Sequence, residues 1–254
     1  MRNGDEDARV SLRFYGPLND FLPPPRRQRQ CHYHLHGATS VKDFIESRGV
    51  PHTEVALILV NGEPVGFGHR IAPGDRISVY PRFRSLPLPK DLNLQSPDPA
   101  PHRFIVDANL GKLASHLRLC GFDTLYRSDY DDREIARIAS EQGRILLTRD
   151  RQLPKRAHLR HAYFVRATQP RRQLSEVMAH FDLTPGQRPF SRCLRCNGPI
   201  EAVPARAVQD SLPPRTRRYY RSFWRCRDCG RVYWKGPHYK HMLRFLRGVM
   251  DGCG

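Results

Sequence analysis

Four cysteines in two tight pairs constrain this chain more than any other feature: Cys193-Leu-Arg-Cys196 and Cys226-Arg-Asp-Cys229. Each pair has the spacing of a turn that aims two thiolates at one point, and 29 residues separate the pairs. That is the pattern of a zinc ribbon, in which two knuckles close one tetrahedral shell. A redox dithiol or two disulfides fit two such pairs less well. The expected cofactor is one structural Zn2+ held by Cys193, Cys196, Cys226 and Cys229. Four thiolates leave no coordination position for water, so this site holds structure together and the chemistry must lie elsewhere.

The three other cysteines are Cys31, Cys120 and Cys253. An odd remainder does not make a secreted disulfide framework, which predicts a reducing, cytoplasmic setting. Cys120 ends an apolar helical pattern and reads as a small core residue. No basic-apolar-small leader pattern opens the chain. The longest apolar run, residues 55–60, is far too short for a bilayer span, so no membrane partner is expected. The net charge is +18. Residues 188–254 hold 15 Lys and Arg against 4 Asp and Glu, a balance that suits a phosphate-bearing partner.

Apolar clusters broken by proline-rich stretches point to several small units, and a structural zinc compensates for a small core. Residues 1–84 read as an α+β unit. Strand patterns at 9–15 and 31–36 precede a helix over 39–49, a buried strand at 55–60, an Asn61-Gly62 turn and a strand at 76–80. This order resembles a β-grasp, ubiquitin-like domain. Its last strand runs on into the chain, so the free Gly-Gly end of a sulfur carrier is missing, and interaction with a protein partner or stabilisation is the better expectation. Residues 85–102 carry five prolines and read as a stiff linker. From Arg103, short apolar strands at 104–106, 123–126, 144–148 and 163–165 alternate with helices at 110–120, 131–142 and 174–181. That alternation predicts a parallel α/β sheet over 103–187. The ribbon and a closing helix at 237–250 occupy 188–254.

Ligands of open parallel sheets gather beyond the carboxyl ends of the strands. Asp107 and Asp150 follow two such strands, and Asp132 opens the second helix with Glu134 close behind. Converging carboxylates repel, and a hard cation such as Mg2+ or Mn2+ relieves that repulsion and can orient a water on a phosphodiester. Each acid has a plainer explanation. Asp107 and Asp150 could cap the turns after them, and Asp131 with Glu134 matches a capping box.

The runs Phe104-Ile105-Val106-Asp107, Leu110-Gly111-Lys112-Leu113-Ala114 and Gly143-Arg144-Ile145-Leu146-Leu147-Thr148-Arg149-Asp150 resemble the PIN-like RNase family named after the C-terminal domain of the mutator-seven exonuclease. The cysteine knuckles and the ubiquitin-like start fit the same family. The resemblance implies a divalent-metal-dependent ribonuclease with Asp107, Asp132 and Asp150 as catalytic acids. Asp129, Asp131 and Glu134 are candidates for a fourth, and Glu134 is placed in the set. Lys112 and Arg149 adjoin this site and are candidates to meet the scissile phosphate. Arg217, Arg218, Tyr219, Tyr220 and Arg221 interleave cations with rings, a mixture suited to single-stranded RNA. One of Phe223 and Trp224 is expected in the ribbon core. The alternative function is a non-catalytic RNA-binding or adaptor protein with a degenerate acidic site.

Overall fold

The structure, a computed structural model, describes residues 9–83, 88–156, 159–184 and 189–250. Cys253 and part of the proline-rich stretch therefore lie outside the described residues. The chain forms two compact units that do not follow chain order. One is Met1–Pro97 joined by Asp150–Phe164, and the other is Asp98–Arg149 joined by Val165–Gly254. Among the described residues, no helix is long and apolar enough to cross a membrane.

The first unit is built on strands β1 (Arg9–Phe14), β2 (Gln30–His34), β3 (Leu57–Val60), β4 (Glu63–Pro64) and β5 (Arg76–Tyr80), in the order β2-β1-β5-β3-β4. The first and last strands lie side by side and parallel, with Leu12 opposite Ile77, which is the β-grasp arrangement. Helix α1 (Val41–Ser47) starts where Ser40 accepts a hydrogen bond from the Asp43 amide, and it buries Val41, Phe44 and Ile45. Within the proline-rich stretch, the Leu94 amide donates to the Ala56 carbonyl and the Gln95 side chain to the Thr53 carbonyl. Part of that stretch is therefore docked on the first unit.

The second unit opens with β6 (Arg103–Val106), α2 (Gly111–Leu119), β7 (Asp123–Leu125), α3 (Asp132–Gln142) and β8 (Ile145–Thr148). Both β7 and β8 pair with β6 in parallel. Phe104, Ile105, Ile145 and Leu146 are fully buried, as expected for strands covered on both faces. Helix α3 is capped by Asp131, whose carboxylate accepts from the Glu134 amide, and it ends at Gly143 in the left-handed region.

The next segment packs within the first unit. Phe164, at the end of β9 (Ala162–Phe164), joins that unit's core beside Phe21. The buried Glu54 carboxylate accepts the Phe164 amide at 2.8 Å, His52 Nε2 lies 3.1 Å from the Leu159 carbonyl oxygen, and Lys155 Nζ donates to the Glu46 carbonyl. In strand order β9 is also the fourth member of the sheet β7-β6-β8-β9, as the alternation of strands and helices predicts.

Back in the second unit, α4 (Pro170–His180) begins one turn before its apolar pattern does, since its first turn, Pro-Arg-Arg-Gln, is polar with proline where its missing N–H costs nothing. The ribbon is an antiparallel sheet of β10 (Ile200–Val203), β11 (Phe223–Cys226) and β12 (Val232–Trp234), with α5 (Pro214–Tyr219) in the β10–β11 connection and α6 (Pro237–Met250) after it. Its small core is Val208, Leu212 and Phe223, packed by Tyr220 and Trp234. Of the expected pair, Phe223 is core and Trp224 is half-buried on the other face.

Candidate functional site

The four cysteines converge. Their sulfurs all lie within 4.8 Å of one another, with Cys193 to Cys229 at 3.6 Å and Cys196 to Cys226 at 3.4 Å. Sulfurs around a tetrahedral zinc at about 2.3 Å stand about 3.8 Å apart, so this spacing fits a zinc ion. It is far longer than a disulfide bond of about 2.05 Å. Burial pushes the Cys193 thiol up, but hydrogen bonds from Tyr233 and from the Cys196 and Arg195 amides outweigh it and bring the thiol down to about 6. Burial raises Cys196 to about 12 and also raises Cys226. Zinc binds cysteine as thiolate, so an ion entering this cluster displaces the thiol protons. Gly198 is required in the first knuckle: a Cβ there would lie 2.9 Å from the Cys226 sulfur.

The knuckle is bolted to the α/β sheet by a polar cluster that residue spacing did not reveal. Buried Arg118 on α2 donates from Nε to the Thr124 carbonyl and from one amino group to the Leu194 and Arg195 carbonyls between the first two cysteines. Asn197, left-handed at φ 73°, accepts from the Thr124 amide and donates to Asp123 at 2.8 Å. Asp123 pairs with buried Arg144 at 2.7 Å. Burial alone would raise the Asp123 carboxyl, yet Arg144, Asn197 and Arg192 together hold it below the usual carboxylate range. A hint was available in the sequence: three polar side chains, Arg118, Asp123 and Arg144, interrupt apolar patterns at element ends.

Asp107 is buried at the carboxyl end of the central strand β6. Its amide donates to the Leu147 carbonyl, and its carboxylate accepts the Thr148 hydroxyl at 2.9 Å, a contact that fixes its orientation. The side chain caps nothing, so a capping role does not account for it. Gly111 allows Tyr126 to close over the following turn: a Cβ at Gly111 would lie 2.6 Å from the Tyr126 hydroxyl, which donates to the Ala108 carbonyl.

Asp132 is exposed in the first turn of α3, with Glu134 half-buried beyond it. Asp131 is the cap, and Asp129 is paired at the surface with Arg127. Asp150 belongs to the first unit, where it accepts the Gln152 amide at 2.7 Å in a turn. Among the described residues, the four cysteines are the group of three or more metal-ligating side chains gathered within 4.8 Å, and the acids form no such group. Buried Cys120 is inert, its thiol pushed up to about 12 by burial.

The basic candidates divide. Lys112 is exposed in the first turn of α2. Arg149 turns one amino group onto the carbonyls of Val165, Arg166 and Ala167, which ties down the loop after residue 164. In and after α5, Arg217 donates to the Leu212 carbonyl and Arg221 to the Arg217 and Tyr220 carbonyls. Tyr219 is 71% exposed with Arg218 over its ring, while Tyr220 packs on the ribbon core. Sequence reasoning missed Thr148, Arg118 and Asn197, whose roles exist only through partners distant in the chain.

No curated protein and no solved structure matches the chain significantly. Two family models do. The model described as Mut7-C ubiquitin matches residues 7–87, and the model described as Mut7-C RNAse domain matches residues 102–246. The second match spans more than half of the chain and takes in the parallel sheet, Asp107 and all four knuckle cysteines, so the chain belongs to the Mut7-C RNAse domain family, with a Mut7-C ubiquitin domain before it.

Proposed function

We propose that this protein is a divalent-metal-dependent ribonuclease that hydrolyses RNA phosphodiesters, with Asp107, Asp132 and Asp150 as its acids and Glu134 as the fourth. The observation that carries the proposal is Asp107: a buried carboxylate at the end of the central strand, oriented by Thr148 and capping nothing, within a chain of an RNase family. Burying a carboxylate is unfavourable unless something compensates, and a hydrogen bond from one hydroxyl is modest compensation. Oxygen donors of this kind suit Mg2+ or Mn2+. Such an ion, when bound, supplies an activated water and neutralises charge on the phosphate. The chain's own part is to place Asp107 through Thr148 and to bring RNA to it through a strongly basic surface. The ubiquitin-like unit is assigned a protein partner, and the setting is cytoplasmic.

The test is cleavage of single-stranded RNA by purified protein with Mn2+ or Mg2+. Asp107→Asn and Asp150→Asn should each abolish it while leaving the zinc content unchanged. Cleavage by the double variant at the parent rate would reject the site. Metal-independent RNA binding with no cleavage by the parent would favour the second reading, an RNA-binding protein with a degenerate acidic set. The observation behind that reading is that the acids form no metal-ready group among the described residues.

A further inference from the structure

The ribbon carries a recess that the acidic site does not use. Trp224 and Tyr233 are opposite one another on β11 and β12, on the face turned away from the small ribbon core. Across from them, Phe190 and Tyr239 lie with ring centroids 4.6 Å apart. Two adjoining cavities, of about 280 and 460 Å3, share Tyr233, Trp234 and Tyr239 in their walls. Among the described residues that line them there is no acid, while Arg192, Arg195, Arg231 and Lys235 are all present. Lys235 Nζ stands 5.4 Å from the Trp224 ring and 5.9 Å from that of Tyr239, a cation poised between two aromatic rings.

Half-buried rings in a recess and cations around them solve the two recognition problems of a single strand. Unpaired bases need π-faces to replace the stacking they lack, and the backbone needs positive charge at phosphate spacing. A duplex keeps its bases stacked and has no use for the rings. A peptide partner would use the apolar walls but gains nothing from four cations unless it is acidic. The exposed α5 helix offers a lone Tyr219, without an enclosed second face.

We propose that this groove seats unpaired bases of a single-stranded RNA against the rings of Trp224 and Tyr239, with Lys235 swinging off those rings to join Arg231 on the flanking phosphates. The inference rests on the RNA-processing reading above and locates the strand on the ribbon instead of on α5.

The experiment uses the full chain carrying Asp107→Asn, so that binding is read without cleavage. The probe is a labelled oligouridylate of about eight nucleotides, within the usual site size of such surfaces. Adding Trp224→Ala or Tyr239→Ala should weaken binding about 5- to 150-fold, the worth of one base stack, and Trp224→Phe should keep most of the affinity. A hairpin duplex of equal charge should bind weakly and be indifferent to both alanine variants. Zinc content near one per chain checks that each variant is folded, and Tyr239→Ala, on α6, serves if Trp224→Ala is not. Unchanged oligouridylate affinity in folded variants would overturn the proposal and leave the groove to a peptide partner. Equal losses for the duplex and the single strand would overturn it as well. Parallel assays with Asp107 restored keep the two readings apart: a groove that binds in a chain that never cleaves refutes the hydrolase alone.

Discussion

Asp123→Ala probes the junction on which the ribbon's attachment depends. The carboxylate pairs with Arg144, whose side chain is 7% exposed, against 20% for its own. It also accepts from the Asn197 amide group in the knuckle. Removing one member of a buried ion pair costs about 3–5 kcal/mol, chiefly because the other charge stays behind without a partner. Partial exposure of Asp123 places this case at the lower end, near 3 kcal/mol. The lost charge-assisted bond from Asn197 adds about 1.5 kcal/mol. A total loss of about 4–5 kcal/mol is therefore expected. Both tryptophans, Trp224 and Trp234, lie in the ribbon, so intrinsic fluorescence during urea unfolding reports on this region. Adding Arg144→Leu should recover part of the loss, because the orphaned cation goes with it. A cost below about 1 kcal/mol for Asp123→Ala, the range of a surface pair, would refute the reasoning. So would a double variant as unstable as the sum of the two single ones.

Further outcomes follow from the same geometry. Freshly purified protein should carry one zinc per chain, and Cys226→Ser should release it and melt the ribbon. Elemental analysis with tryptophan fluorescence reads both effects. Thr148→Val frees the Asp107 carboxylate from its hydroxyl partner, and if Asp107 binds the catalytic ion, titration of activity with Mn2+ should show about 10- to 100-fold weaker metal affinity. Burial pushes the His116 imidazole down, against a bond to the Pro170 backbone, where its ring packs 4.4 Å from Phe245. The unfolded chain then takes up a proton near pH 6.5 that the folded chain resists, so stability should fall as pH drops through about 6.5. Urea midpoints of the parent should decline from pH 7.5 to 5.5 and those of His116→Leu should decline less. Glu54→Ala removes the acceptor of the Phe164 amide and should destabilise the first unit by about 1–3 kcal/mol, measured as amide exchange at residues 159–164.

Local signals carried a good deal. The 3.6-residue pattern and Gly143 delimit α3, and the Asn61-Gly62 turn joins β3 to β4. The first turn of α4 and the two-residue β4 escaped notice because a polar turn and so short a strand have no periodicity to read. The pattern of alternating strands and helices placed a fourth strand at residues 163–165, and β9 (Ala162–Phe164) is the fourth strand of the sheet β7-β6-β8-β9. Asp131 was legible as a cap because a cap and its partner are three residues apart, and the structure shows that bond.

What the sequence by itself determined is what depends on short separations: the two cysteine knuckles, most strands and helices, the basic C-terminal region and Asp107 at the end of a buried strand. What only the tertiary structure decided depends on partners far along the chain. Thr148 reaches Asp107, Arg118 and Asn197 lock the knuckle to the sheet, and Trp224 faces a recess while its neighbour Phe223 fills a core. The physical reason is that hydrogen bonding and burial are set by which groups meet in space, and residue spacing reports that only within an element or across a tight turn.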